Sequence, residues 1–499
     1  MKKRAIAIVF CLLACTLLVL TSCSDSGDTK TTQGSQQQPI ESGEEILELP
    51  EGLNYDGYTY NVLSAGNVAY DDFGYTEETA SEIISEAQFR RIQTMNELYG
   101  IEISIIVKVD KNSLGGGPGY SDIAKAVQSD TVDYHLGIIG GYDVASLAKN
   151  NLLYDLNSVD YINTSKSWWD QNANEDLALK GLLFFTNGSL TAAYSESTFA
   201  FFFNKDLAKT VLSEEQNPYQ LVKDGKWTVD KMAELARLVS DDLDGNGTID
   251  YKDQFGIYTW DDSMLGMIEA AGSKICTVDD NGVVSLTLYN SNTINMFNAY
   301  TEIAYDKEHA LAYQAEMRAG KMTSADVYAA WSNNQTLFWA NSTGIIPVIR
   351  DFETNFGILP YPKLTAEQDR YYSTIAPYNS QFICIPRYQE DLEFVGSMTE
   401  ALAYYGKQVV TPAVYEKALK GAYARDEESY EMLDIIYGSF GYDFGLYYNI
   451  GTYNNALMNL LRNKSTALSS AYEAYKNPAE QELAVLNANF AILFEYWEK

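Results

Sequence analysis

The chain is predicted to be an α/β protein, and three observations carry that reading. Short β-branched runs alternate with segments of helical spacing in the N-terminal third. The resulting β-α-β-α-β-α order argues for a largely parallel sheet. About 450 residues follow an N-terminal leader and polar linker, enough for two domains or three.

The elements follow in order. Tyr58 to Ser64 alternates and ends at Ala65-Gly66, a strand followed by a loop. Thr79 to Tyr99 places Ile83, Ile84, Ala87, Ile92, Met95 and Leu98 at helical spacing, and Gly100 stops it. Ile101 to Val107 is a second strand, and a helix follows near Ser121–Ser129. Tyr134 to Ile139 is a third strand, Gly140-Gly141 turns, and Asp143–Lys149 is helical. In open sheets of this kind ligands sit at loops beyond the carboxyl ends of strands. Those loops hold Ser64, Gly66 and Asn67, and Gly140 to Asp143 with Gly141 and Tyr142. Phe199 to Phe203 is a buried strand. Thr228 is a good N-cap for an amphipathic helix reaching Val239. The section to about Ala330 reads as mostly helical. Gly344–Val348, Phe356–Pro360 and Gln381–Pro386 read as short strands, and the remainder from Glu390 as mostly helical.

The leader is a secretory signal in layout. Lys2, Lys3 and Arg4 precede an uncharged apolar run from Ala5 to Leu20, then Leu20-Thr21-Ser22-Cys23. The box resembles a bacterial lipobox, in which Cys23 takes lipid on sulfur and becomes the mature N-terminus. A transmembrane anchor is the alternative, but sixteen residues are short for a core of ~30 Å. Ser24 to Glu45 is Ser, Thr, Gln, Gly and acid, unable to bury a core. The expected layout is a signal at 1–22, a flexible tether at 23–55, and a body outside the cell membrane.

The net charge of −33 falls by three to −36 once Lys2, Lys3 and Arg4 leave with the signal. That argues against nucleic acid and against a basic membrane-binding patch. Only His135 and His309 are available to a His-based triad or metal site. No nucleophile elbow, Walker A loop or H-E-x-x-H helix occurs. No catalytic set is expected. Beyond Cys23, Cys276 and Cys384 could pair or remain buried thiols; spacing leaves both open. The 38 Tyr and 7 Trp exceed ordinary use. Most belong to a half-exposed core, yet such rings also supply apolar faces with a polar edge, which suit sugars. Trp168, Trp169, Trp260, Trp331, Trp339 and Tyr378 are the candidate stackers. Trp168-Trp169 stands in a polar loop, while Trp227 reads as core.

In order and spacing the chain resembles the extracellular solute-binding proteins of ABC importers, the branch with sugar binders. Asp143 to Leu156 is similar to the family's helix and loop after the third strand. Phe203-Asn204-Lys205-Asp206-Leu207 is similar to its crossing strand and turn. Lys226-Trp227-Thr228 resembles its Trp-Thr helix start, and Phe356 to Pro362 its late return strand. The resemblance implies the type II periplasmic-binding-protein fold: two α/β lobes, a hinge and an interlobe cleft. It implies lobe one at 56–196 and 345–375, and lobe two at 197–344 and 376–499. Crossings would fall near Ser197–Phe199, Gly344 and Pro377–Ser380. The implied function is solute capture without chemistry, with delivery to an ABC permease; the solute expected is an oligosaccharide.

Asp242 to Asp253 fits a twelve-residue calcium loop. Asp242, Asp244 and Asn246 stand at positions 1, 3 and 5, and Gly247 at the sharp turn. Thr248 offers its carbonyl at 7, Asp250 stands at 9 and Asp253 at 12. A structural calcium ion is expected; a solvated acidic turn is the alternative. Two other functions remain open. A secreted glycoside hydrolase would use acids such as Asp71-Asp72, Asp241-Asp242 or Asp261-Asp262, but sequence adjacency does not give facing carboxyls. An adhesion protein is suggested by the single calcium-type loop.

Overall fold

The computed structural model describes residues 45–192, 197–414 and 426–497. The signal segment, Cys23 and residues 24–44 of the tether lie outside the described residues. The tether ends earlier than expected, because Leu47, Leu49, Leu53 and Tyr55 pack against the core. Among the described residues no helix is long and apolar enough to cross a membrane.

Twelve strands are described, in chain order β1 Tyr58–Gly66, β2 Ile101–Val109, β3 Leu136–Gly140, β4 Phe199–Asn204, β5 Ser240–Asp241, β6 Gln254–Thr259, β7 Cys276–Val278, β8 Val284–Leu286, β9 Ala310–Ala312, β10 Thr336–Ser342, β11 Phe356–Leu359 and β12 Gln381–Cys384. The first sheet has the order β12-β3-β1-β2. β1 runs parallel to β2 and β3, and β12 is antiparallel to β3; β1 and β3 are buried, while the edge strand β2 is largely exposed. The second sheet has the order β11-β4-β10-β6-β5, with β9 beside β6. β7 and β8 form a separate hairpin.

This topology corrects the expected division. β11 pairs with β4 in the second sheet, and β12 crosses back to the first. The stretch assigned to lobe one at 345–375 therefore belongs with lobe two, and the strand after Ser380 with lobe one. Gly344 is no crossing. It sits in a 3-10 turn, Thr343–Ile345, followed by the helix Ile346–Ile349, with Pro347 in its first turn where a missing N–H costs nothing. The expected strand at 344–348 is thus helical.

The hinge forms where two segments run side by side. Thr198 bridges Ile375 in antiparallel fashion. The Phe199 N–H donates to the Thr374 carbonyl at 3.0 Å, and the Ala376 N–H to the Ser197 carbonyl at 2.9 Å. The Thr343 N–H joins them on the Thr198 carbonyl at 2.8 Å. Cys276 and Cys384 are both buried and unpaired.

The aromatic surplus is mostly core. Tyr60, Tyr219, Tyr258, Tyr300 and Tyr361 are fully buried. Phe199, Phe201, Trp260 and Tyr361 pack edge-on or stacked beside the second sheet, a geometry that favours ring pairs.

Candidate solute site

Two parallel strand ends face each other across the hinge. β3 ends at Gly140 and its chain turns at once into the helix Gly141–Lys149. A Cβ on Gly66 would lie 3.0 Å from the Gly140 Cα, so only glycine allows the ends of β1 and β3 this close. Asp143, in the first turn of that helix, accepts the N–H groups of Gly115 and Gly117 at 3.0 Å each. It thereby pins the glycine-rich loop after β2 next to the strand ends. In the second lobe, β6 ends at Thr259, and Asp261-Asp262 follows immediately before the helix Ser263–Ala270.

Between them lies a cavity of about 270 Å³. Leu114 and Tyr142 line it from the first lobe, Asp262 and Leu265 from the second, and Ala376 to Tyr378 from the hinge. Asn449, Asn454, Asn455, Met458 and Arg462, on and before the helix Tyr453–Arg462, close its remaining side.

The electrostatics are arranged in pairs. Asp261 is buried and accepts from Arg318 at 2.5 and 3.2 Å and from the Arg462 Nε at 2.7 Å. Arg462 also donates to the Asn459 Oδ1 at 3.2 Å, which fixes the guanidinium plane at the cavity wall. Asp262 is half-buried; burial pushes its carboxyl up to about 6, with neighbouring Asp261 adding and Arg462 opposing. Asn454 donates to the Tyr142 hydroxyl at 2.9 Å, and Tyr378 donates to the Lys111 carbonyl at 2.9 Å. Asn449, in the left-handed region at φ 53°, keeps a buried side-chain oxygen with no hydrogen-bond partner.

Of the residues expected to meet solute, Tyr142 and Tyr378 line this cavity. Tyr378 is 37% exposed and offers its ring at the rim. Ser64, Gly66, Asn67 and Gly141 do not line the cavity. Ser64 accepts from Gln381 at 3.1 Å, Asn67 exchanges hydrogen bonds with Ser113, and Gly141 packs against Pro377 and Ser380. The tryptophans belong to the interior. Trp331 and Trp339 are 0% and 1% exposed and pack on one another at 5.3 Å. Trp260 donates to the Tyr361 hydroxyl at 3.2 Å. Trp168 and Trp169 donate to the two oxygens of buried Glu400, each at 2.9 Å, so their loop is polar but not open. Asp262, Asn449, Asn454 and Arg462 were not expected at the site. Only the acid pair after a strand marked Asp262 in the sequence; the other three lie about 190 residues or more downstream of it with no local signal.

The acidic loop is a separate feature. Carboxylate oxygens of Asp242, Asp244 and Asp253 gather within 4.8 Å of one another. Gly245 and Gly247 take φ of 69° and 77°, which the tight turn demands. Asp242 accepts the N–H groups of Asn246 and Gly247, and the Gly247 bond holds its carboxyl below the usual range. Asp253 is buried and accepts from Leu243 and Asp250. No lysine or arginine pairs with the three carboxylates among the described residues. Three hard oxygen donors without a counter-charge fit Ca²⁺. Asn246 and Asp250 accept the backbone N–H groups of Thr248 and Lys252, and no contact ties the Thr248 side chain to the three carboxylates.

The sequence matches the family described as bacterial extracellular solute-binding protein over residues 78–383. No curated protein matches the chain. Among solved structures, the cyclic alpha-maltosyl-1,6-maltose binding protein of Arthrobacter globiformis superposes with a TM-score of 0.55 at 13% identity, covering 87% of this chain and 100% of its own. An ABC substrate-binding protein of Listeria monocytogenes, in complex with cycloalternan, gives 0.54 at 12% identity with 87% and 100% covered. A maltose-bound protein of T. maritima gives 0.51 at 12% identity with 86% and 100% covered. These similarities are of fold. With the family match spanning more than half of the chain, a two-lobed α/β body and a cavity between its lobes, the protein belongs to the bacterial extracellular solute-binding proteins.

Proposed function

We propose that the protein captures a neutral oligosaccharide in the cavity between Tyr142, Asp262 and Arg462 and passes it, unmodified, to an ABC permease. The observation that carries this reading is the unspent hydrogen-bonding capacity of the wall. Asn449 retains a buried oxygen without a donor, and the remaining polar groups are amides, tyrosines and one Asp/Arg pair. Hydroxyl groups, which both donate and accept, satisfy such a wall. The charges balance: Arg318 and Arg462 face Asp261 and Asp262, which leaves no surplus for an anionic solute. Of the similar folds named above, one is bound to maltose, one is in complex with cycloalternan and one is a cyclic alpha-maltosyl-1,6-maltose binding protein, which points the same way. The cavity is at the small end of ligand pockets, so an oligosaccharide would seat one end there and run out over the exposed face of Tyr378.

Chemistry is not expected. The carboxyl beside Asp262 is held by two guanidiniums, so the pair lacks a free second carboxyl for glycoside hydrolysis. We read Cys23 as the lipidated N-terminus that tethers the body to the outer face of the cell membrane, on the strength of its box. We read the 242–253 loop as a structural calcium site.

Thermal shift and calorimetry with maltotetraose, cycloalternan, ribitol and a tripeptide test the solute class. The oligosaccharides should stabilise the protein, and chromatography should return them uncleaved. Stabilisation by the tripeptide alone, or a hydrolysis product, would overturn the reading. Cys23→Ala should leave the protein released from membranes or unprocessed; normal cleavage with membrane retention would remove the anchor.

A further inference from the structure

A second place where the lobes meet shares no residue with the solute cavity. Its centre is the segment 439–443, tied to the hinge strand. The Ser373 N–H donates to the Ser439 carbonyl and the Gly441 N–H to the Ser373 carbonyl, both at 2.9 Å. The Thr374 hydroxyl donates to the Gly441 carbonyl at 3.2 Å. Toward the first lobe, the Tyr442 N–H donates to Asp176 Oδ2 at 2.8 Å and its hydroxyl to Asp170 Oδ2 at 2.6 Å. Toward the second lobe, the Asp443 carboxylate accepts from the N–H groups of Ile275 at 2.5 Å and Cys276 at 3.2 Å. Lys274 closes the ring. Its Nζ donates to Asp176 Oδ1 at 2.5 Å, across the lobes, and to the Tyr442 carbonyl at 3.1 Å.

Asp176 belongs to the helix Gln171–Leu177 of the first lobe, while Lys274 follows the helix Ser263–Ala270 whose N-terminus carries Asp262. One short helix of the second lobe thus has the solute wall at one end and a contact to the opposite lobe just beyond the other. Glu269 backs the contact from within that helix, close enough that a Cβ on Gly441 would lie 2.5 Å from its Oε1.

We propose that Asp176 and Lys274 are positioning residues: their ion pair fastens the two lobes at the solute-binding angle and so sets solute affinity without touching solute. The proposal rests on the two-lobe capture reading above. Its physical basis is that apparent affinity scales with the fraction of molecules whose lobes already sit at the binding angle. Each side chain is about one-quarter exposed, so the pair is shielded enough to matter and open enough to break.

The test uses the full chain with spin labels at Lys125→Cys on the first lobe and Lys209→Cys on the second, in the absence of solute. Asp176→Asn and Lys274→Gln should each lengthen or broaden the interlobe distance and weaken maltotetraose binding about tenfold. The double variant should cost clearly less than the sum of the single ones, since both lose the same ion pair while each also touches Tyr442. Lys274→Arg should keep the wild-type distance. Unchanged distances in both single variants, or losses that add in the double variant, overturn the proposal, even if melting temperatures fall. If maltotetraose does not bind the wild type, the sugar reading fails while the solute-free distances still decide the fastening role.

Discussion

The two interlobe contacts differ in how their polar groups are used. Around Asp176, Lys274 and Tyr442 the charged and backbone groups meet partners: a carboxylate takes both an ammonium and an N–H, and a tyrosine uses its N–H, its carbonyl and its hydroxyl. Around Tyr142, Asp262 and Arg462 the wall is held by Asp261, Asn459 and Asn454, while the buried Asn449 Oδ1 has no hydrogen-bond partner. Native proteins rarely leave buried polar atoms unpaired. On the readings proposed above, the ion-paired contact is mechanical and the cavity wall serves recognition, although Asn187, which donates to the Tyr442 hydroxyl, also keeps a buried oxygen without a partner. Both depend on residues that flank the same helix, Ser263–Ala270.

The sharpest way to break the comparison is to remove the recognition groups. Asp262→Ala and Arg462→Ala should each weaken maltotetraose by about a hundredfold, since hydrogen bonds to charged groups contribute ~1.5–3 kcal/mol. Calorimetric titration reads this directly. If Asp262→Ala costs no more than Asp176→Asn, the division between recognition and fastening is wrong.

Acidity separates the two regions next. Burial pushes Glu269 behind the fastening contact up to about 8 from 4.5; Lys274 opposes, Asp443 and Asp176 add, and Arg370 opposes. The folded protein then holds a proton that the unfolded chain releases between those values. Stability from this group is fully present below about 4.5 and is lost as pH rises through about 8. Glu269→Gln should flatten that slope and be more stable than the wild type at alkaline pH, by ~2 kcal/mol. Asp262 titrates lower, near 6, so solute affinity should change around that pH in wild type and in Glu269→Gln alike. A melting curve for Glu269→Gln that declines with pH as steeply as wild type would remove Glu269 from the account.

A third contrast sets both contacts against the acidic loop, which touches neither. Calcium should raise the melting temperature by several degrees and EGTA should reverse it, as mass action on a folded-state site requires. Asp242→Ala should abolish the response while leaving maltotetraose affinity unchanged. No calcium response in wild type would leave the loop as a solvated turn.

The clustering of Asp242, Asp244 and Asp253 was legible because the three lie within twelve residues around one glycine turn; calcium there is the proposal above. The first sheet was legible for a related reason: β1, β2 and β3 are local apolar runs with helices at 3.6 spacing between them. The lining of the interlobe cavity was mostly not. Asp262 and Arg462 are 200 residues apart and meet only because the C-terminal helices fold back on the second lobe. The tryptophans misled for a physical reason. An indole beside Ser167 and Asp170 looks solvated, yet Glu400, distant in sequence, takes both indole N–H groups and lets the rings sink. The exchange of β11 and β12 between sheets was equally invisible, since both are four-residue apolar strands that suit either sheet.

The smallest expected effect tests whether the rim belongs to recognition at all. Tyr378 presents a partly exposed ring, and its hydroxyl is already committed to the Lys111 carbonyl, so the hydroxyl is not available to solute without a cost. Tyr378→Phe keeps the ring and frees the loop after β2; affinity for maltotetraose should fall by only about threefold, less than 1 kcal/mol. Tyr378→Ala removes the apolar face as well and should cost about tenfold, because a ring stacked on sugar contributes through its buried area. Equal losses in the two variants would mean that the loop anchor matters and the ring does not. The oligosaccharide would then end inside the cavity rather than run over its rim.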